Sequence, residues 1–443
     1  MREMKDSGVA WIGEIPAQWD IKSIRNLLIE RNEKNRELSV KTILSLSAKS
    51  GVTLYRSDNH SGNRPREDLS DYKIVRENDI VVNSMNILSG SVGLSGYTGV
   101  VSPVYYIYYP RKKDSVHYLH FIFQCFEFQR SLRGLGNGIL IKETESGSLN
   151  TIRMRIPAKK LSLQEFPYPP LEEQQIIADY LDSKCKQIDA LITNAEQQIE
   201  KLKSYKQSVI TETVTKGLDP DVEMKDSGYD FIGCIPSSWE ICRLRHIGTP
   251  QNGLSKGGEY FGTGYPFVSY GDIYKNFSLP ETVNGLVETT EAERKQYSVE
   301  CGDIFFTRTS ETIEEVGFSC VCEKTIPNAT FAGFVIRVRP YNDMLVTRFA
   351  KYYFRSTHHR FFLVKEMNLV TRASLGQGLL KSMPVLVPTK EEQQQIADYL
   401  DRKCEQIDHL ITIKQKKIER LQQYKKALIY ECVTGKKEVF SDA

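Results

Sequence analysis

The sequence predicts an α+β chain, with two mixed α/β domains separated by a long antiparallel coiled coil of two repeat-related helices. Three observations predict it. The segment MKDSGVAWIGEIPAQW, Met4 to Trp19, returns as MKDSGYDFIGCIPSSW, Met224 to Trp239. The segment EEQQIIADYLDSKCKQIDALIT, Glu172 to Thr193, returns as EEQQQIADYLDRKCEQIDHLIT, Glu391 to Thr412. Between these matched frames lie two stretches of nearly equal length, residues 20–168 and 240–387, that share little beyond the echo of Asn78-Asp79-Ile80 in Gly302-Asp303-Ile304. Self-similarity at a fixed period decides architecture before local pattern does. Uniform drift would blur frame and insert alike, so matched frames around divergent inserts imply one scaffold serving two different targets. The expected domains are 1–168, a first insert with its N-terminal frame; 169–222, a long helix and linker; 223–387, the second insert with its frame; and 388–443, the second long helix and tail.

The second frame segment reads as helix. Ala178, Cys185, Ile192 and Ile199 step by seven, as do Leu181, Ile188, Ala195, Leu202 and Val209. The copy carries Ala397, Cys404, Ile411 and Ile418, with Leu400, Ile407, Leu421 and Leu428; Lys414 interrupts that second row. Alternating three-four spacing is a coiled-coil seam. The expected interface therefore comprises Leu181, Ile188, Ile192, Ile199, Leu202, Leu400, Ile407, Ile411, Ile418 and Leu421. Pro169-Pro170 and Pro388 precede the helices, acidic pairs Glu172-Glu173 and Glu391-Glu392 favour the first-turn dipole, and Gly217 and Gly435 fit left-handed caps. Thr389 and Glu392 have capping-box spacing. About 45 residues at 1.5 Å each make a rod of roughly 65 Å. Its narrow apolar seam needs a partner, and the repeat copy supplies one.

Within the inserts, strand-like runs occur at Ile80 to Val82, Val104 to Tyr109, Asp303 to Phe306 and Phe334 to Val338. Aromatic-rich helices are expected at Tyr118 to Arg133 and Thr347 to Val364, each followed by a glycine-rich turn, Gly134 to Gly138 and Leu375 to Gly378. Basic and amide residues gather around these elements. Lysine and arginine neutralise phosphates, and arginine, asparagine and glutamine read base edges. The candidate DNA-contacting set is Arg64, Arg66, Arg130, Arg133, Asn137 and Lys142 in the first insert. In the second it is Lys256, Arg308, Arg355, Arg360, Arg372, Gln377 and Lys381. Arg348, Lys351 and the His358-His359 pair add to the basic helix face there, which the reading favours over a metal site.

Composition sets the outer bounds. The 443 residues are 40% hydrophobic and 26% charged, ordinary for globular domains. The net charge of +3 neither demands nor excludes a nucleic-acid partner. No apolar run approaches a membrane span, and the first residues lack the apolar core of a secretory signal. Nine scattered cysteines without a CxxC fit free thiols in a reducing cytoplasm. No GxxxxGK[ST], no GxGxxG after a strand and no Asn-Pro-Pro-aromatic motif is present. The sequence thus predicts no catalytic residue and no metal site.

The pattern KDSG-x-x-[WF]-IG-x-IP-x-x-W, then a variable insert, then P-x-x-EEQ-x-IADYLD-x-K-x-x-QID-x-LI, all given twice, resembles the specificity subunits of type I restriction–modification systems of bacteria. The resemblance implies two target-recognition domains, each reading half of a bipartite asymmetric site. It implies helices that set the spacer and dock two modification subunits carrying S-adenosylmethionine, joined by two restriction subunits with an ATP- and magnesium-dependent translocase and nuclease. The chain itself is then a non-catalytic, double-stranded-DNA-binding part of a phage-defence enzyme, with no cofactor of its own and no membrane. Alternatives are the same subunit in a methylation-only complex, a repeat scaffold that binds protein, and a self-contained nuclease or methylase.

Overall fold

The computed structural model describes residues 2–56, 65–143, 149–310, 316–366 and 373–440; for 137–143, 149–153, 310, 364–366 and 373 the backbone alone is described. The chain divides into two compact units, Met1–Ala195 with Lys416–Ala443, and Glu196–Gln415. The division cuts through both long helices.

Those helices run Leu171–Lys216 and Lys390–Val433, as the heptads predict. Gly217 and Gly435 follow them at φ 77° and 72°, a conformation that glycine takes without a Cβ penalty. Thr389 Oγ1 accepts from Glu392 N at 3.3 Å, one half of the expected capping box. The helices are antiparallel in each unit. In the first, Arg2 bridges Glu173, at the start of one helix, and Glu438, beyond the end of the other, while Lys425 meets Asp189 at 2.7 Å. In the second, Lys206 pairs with Asp408 and Lys414 with Gln198, both at 2.6 Å. Ala178, Leu181, Cys185, Ile188, Ala195 and Leu428 are buried, as are Ile199, Ala397, Leu400, Cys404 and Ile407. Burying each large aliphatic contributes roughly 1.5–3 kcal/mol. Ile192, Leu202, Ile411, Ile418 and Leu421 are half-buried.

The first frame segment forms a hairpin, Met4–Asp6 against Glu14–Pro16, and its copy repeats it in register, Met224–Asp226 against Cys234–Pro236. The KDSG turn explains why that tetrapeptide recurs. Asp6 and Asp226 side chains accept from Gly8 and Gly228 N, and Ser7 and Ser227 hydroxyls accept from Val9 and Tyr229 N. Each hairpin docks on the end of the long helix belonging to the other repeat. In the first unit Lys436 Nζ donates to the carbonyls of Ile12 and Glu14, and Tyr430 Oη to Ile12 O. In the second, Gly217 lies against Trp239 and Pro236, and Ile210 and Val214 share a core with Ile232 and Ile235.

The inserts prove to be one fold. Each holds a four-stranded antiparallel sheet of the same order. In the first unit it is Leu28–Glu30, Tyr105–Pro110, Ile80–Asn83, Val92–Leu94; in the second, Gly248–Asn252, Val335–Pro340, Ile304–Thr307, Ser319–Val321. The register agrees too: Leu28 faces Pro110 as Gly248 faces Pro340, and Asn83 faces Tyr105 as Thr307 faces Val335. The flanking pair Asp20–Ser23 with Glu165–Tyr168 is matched by Glu240–Arg243 with Pro384–Val387. The aromatic helices are each broken in two, Val116–Gln124 and Phe126–Ser131 against Thr347–Tyr353 and Thr357–Glu366. The glycine-rich run after the first pair is no simple turn; Asn137–Glu143 is a strand paired with Leu149–Arg155. The units differ in their additions. The first adds the pairs Leu44–Ser47 with Gly51–Leu54 and Lys73–Val75 with Gly99–Val101. The second adds a three-stranded sheet of Gly285–Val287, Phe261–Val268 and Thr330–Phe331 with its own core.

Candidate nucleic-acid interface

In the second unit the ladder continues one step past Thr307 and Val335. Arg308 N donates to Phe334 O at 2.9 Å, and Leu375 N donates to Arg308 O at 2.8 Å. Thr309 then pairs with Ser374. Leu375 leads through Gly376 into the helix Gln377–Ser382. The backbone therefore gathers Arg308, Thr309 and Gln377, and Lys381 follows one turn later on the face of Gln377. Gln377 is half-buried and Lys381 exposed. Arg308 is half-buried, with Nη1 3.4 Å from Gly333 O.

The matching place in the first unit is built alike. Ile156 N donates to Ser84 O at 2.9 Å, as Leu375 does to Arg308, and the helix Ala158–Ser162 follows. Ser84 Oγ donates to Val104 O at 2.7 Å. Beside Val104 opens a recess of about 280 Å³ lined by Lys34, Arg66, Asp71, Tyr72, Ser102 and Pro103. Lys34 pairs with Asp71 at 2.7 Å. Arg66 is exposed, and its backbone N–H donates to the Tyr72 hydroxyl.

Other expected contacts fall elsewhere. Arg130 is exposed on the helix Phe126–Ser131 with its guanidinium 5.6 Å from the Phe126 ring centroid, and Arg133 is half-buried in the following turn. Arg64 and Arg372 lie outside the described residues. Asn137 and Lys142 belong to the strand Asn137–Glu143, and their side chains lie outside the description.

Three expected contacts have partners within the second unit. Arg355 turns inward: Nε donates to Ser319 O and Nη2 to the carbonyls of Ile273, Tyr274 and Asn276. Burial pushes its pKa down to about 10, and the guanidinium ties one wall of the unit to another. Arg360 donates to Val316 O and lies over Phe318. Lys256 is paired with Glu293 at 2.8 Å and donates to Glu288 O at 2.7 Å, pinning its loop. The basic helix face also dissolves. Arg348 bonds Asp398 and Asp401, Lys351 bonds Asp401 and Glu323, and both hold their helix to the second long helix. His359 is buried on Tyr353 and Phe354. These groups read as basic surface in sequence because nothing local shows the carboxylates and carbonyls that tertiary structure brings to them.

Phe334 escapes a sequence reading for a related reason. It reads as the first residue of a core strand, but the strand begins at Val335, and Phe334 is 65% exposed. Among the described residues no group of three or more His, Cys, Asp or Glu side chains could hold a metal ion. Nor, among them, is any helix long and apolar enough to cross a membrane.

Comparison with known proteins gives this geometry a lineage. The model of the type I restriction modification DNA specificity domain matches residues 31–201 and 236–423. The chain is 27% identical over 277 residues to the type I restriction enzyme MjaVIII specificity subunit of Methanocaldococcus jannaschii, covering 61% of this chain and 62% of that one. It is 27% identical over 257 residues to the type I restriction enzyme EcoKI specificity subunit of Escherichia coli, covering 57% and 52%. These matches span about half to three fifths of the relatives' length. A chain solved in work on complex assembly and conformational transition of the type I R-M system shares the fold over 96% of this chain and 99% of that chain, with a TM-score of 0.69 at 14% identity. The repeated frame, the twin sheets and the two matched regions together place this chain in the type I restriction modification DNA specificity domain family.

Proposed function

We propose that this chain is the DNA-recognition subunit of a cytoplasmic type I restriction–modification complex. Each unit reads one half of a bipartite, asymmetric site. The long helices set the spacer and dock two modification subunits, to which two restriction subunits are added. S-adenosylmethionine, ATP and magnesium belong to those partners, and this chain performs no chemistry.

The observation that carries the reading is the pair of sheets in identical register that end on different residues, Ser84 and Val104 in one unit, Arg308 and Phe334 in the other. One scaffold presenting two unlike surfaces is what recognition of two unlike half-sites requires. Base edges, not phosphates, carry sequence information, so divergence is expected where side chains meet bases.

Selection of the full-length chain on a randomised duplex library tests the proposal. Two motifs separated by a fixed number of unspecified base pairs are expected, with affinity falling steeply as salt rises. One contiguous motif would overturn the bipartite reading. Absence of any motif would overturn sequence-specific DNA recognition.

A further inference from the structure

We infer that Phe334 is the aromatic wedge through which the second unit reads its half-site, with Arg308 as its charged neighbour; this rests on the DNA-recognition function proposed above. Phe334 is 65% exposed, whereas the first two residues of the strand that follows it, Val335 and Ile336, are wholly buried. Phe334 sits in the turn before that strand, and its ring joins neither the core that takes Val335 nor the one that takes Ile336.

The ring stands on a rigid base. Gly333 N donates to Leu254 O at 2.8 Å, Val335 N to Ala332 O at 3.0 Å, and Arg308 N to Phe334 O at 2.9 Å. The loops pack so closely that a Cβ on Gly253 would fall 2.2 Å from Ala332 O, and one on Gly333 2.2 Å from Ser255 Oγ. An exposed aromatic on so fixed a backbone gains nothing from the free unit's own core. It is preorganised for a surface that arrives from outside.

Charge and hydrogen-bonding chemistry identify that surface as duplex DNA. Arg308 N donates to Phe334 O one step beyond the last strand pair, Thr307 with Val335, so the two residues are neighbours across the end of the sheet. Gln377 is joined to the same edge through Leu375. Arginine and glutamine are the side chains that pair bidentately with guanine and adenine edges. An aromatic ring beside the arginine packs on a thymine methyl or enters a base step. In the first unit the same ladder position carries Val104 opposite Ser84, beside the Lys34–Arg66 recess. A knob in one unit thus stands where the other has a hollow, and the two half-sites are read by unlike shapes on one scaffold.

The test repeats the duplex selection with full-length wild type, Phe334→Ala and Phe334→Trp. Thermal unfolding of Phe334→Ala should match wild type, since the ring is largely outside the core. The wild type should return two motifs. Phe334→Ala should lose discrimination at least tenfold at one or two adjacent positions of one motif and leave the other motif intact. Phe334→Trp should keep the affected positions selective. An unchanged pair of motifs in Phe334→Ala would overturn the inference while leaving the DNA-recognition function standing. Equal loss in both motifs would also overturn it, since that marks a global effect. A wild type that selects no motif would remove the underlying function and the inference with it.

Discussion

Asp303 holds Arg339 by both oxygens, Oδ1 accepting from Nε and Oδ2 from Nη2, each at 2.7 Å. Asp303 is the central residue of the Gly302-Asp303-Ile304 echo, and its partner in the first unit, Asp79, is likewise bidentate to an arginine, Arg31, at 2.8 and 3.1 Å. The arginine comes from a different strand in each unit. By the shared register Arg339 stands where the first unit has Tyr109, and Arg31 stands where the second has Gln251. In the first unit Arg31 lies over Tyr109 at 4.5 Å, so it crosses the position from which its counterpart starts. The aspartate hydrogen bond is the largest cause raising the pKa of both arginines.

A swap follows. Arg31→Gln should destabilise the first unit by about 3 kcal/mol, because buried Asp79 loses its counter-ion and keeps only the Arg76 N–H. Adding Tyr109→Arg should restore much of that loss by rebuilding the arrangement of the second unit. Denaturant unfolding of the two single variants and the double variant gives the coupling directly. A double variant no more stable than Arg31→Gln alone would show that the two sheets are not equivalent.

The echo also explains how much of this fold the sequence disclosed. The frames were legible because their contacts are local or repeated: heptads for the helices, Asp and Ser side chains for the hairpin turns. The inserts were not, because their kinship lies in backbone register, which Leu28 and Gly248 or Tyr105 and Val335 satisfy equally well. The echo survived because its turn needs a left-handed residue, Asn78 at φ 65° and Gly302 at φ 93°, followed by a buried aspartate. The surface residues were the least legible. Arg308 and Arg355 look alike in sequence, and only tertiary structure turns one toward the sheet's end and the other into a set of carbonyls.

Lys414 is the polar break in the seam, placed by the repeat where the first helix has Ala195. Its Nζ meets Gln198 Oε1 at 2.6 Å. Polar pairs in such seams fix register at a cost in stability. Lys414→Leu should raise the unfolding midpoint of the helices, by about 1 kcal/mol of added apolar burial. A lowered midpoint would mean that the amine–amide bond outweighs the apolar contact it replaces.

Helix length offers a direct test of the spacer role. One heptad added to both helices lengthens each by about 10 Å while keeping the seam in phase. At about 3.4 Å per base pair this corresponds to roughly three more base pairs in the selected spacer. It also turns one half-site by about a third of a turn against the other, so the alternative outcome is lost binding. A folded variant that still selects the original spacer would show that these helices do not measure the DNA.

Acid should loosen the second unit through one buried histidine. His359 is 5% exposed, its Nδ1 lies 2.8 Å from Ser356 Oγ, and the Tyr353 ring packs on it at 4.3 Å. Burial, with a smaller contribution from His358, pushes its pKa down to about 3. The unfolded histidine takes up a proton near pH 6.5, well before the folded one can. Between those values the unfolded state binds more protons, so stability rises with pH. The contribution is fully present above about 6.5 and is lost as pH falls toward 3, at about 1.4 kcal/mol per pH unit. His359→Gln should be less stable at pH 7, since it disturbs a packed site, yet lose less between pH 7 and pH 5. The wild-type loss over that interval should exceed the variant's by about 2 kcal/mol. Amide exchange in the strand Val335–Pro340, which reports on this unit alone, measures both. An equal loss in wild type and variant would mean that His359 titrates like an exposed histidine and is not held neutral by its aromatic surroundings.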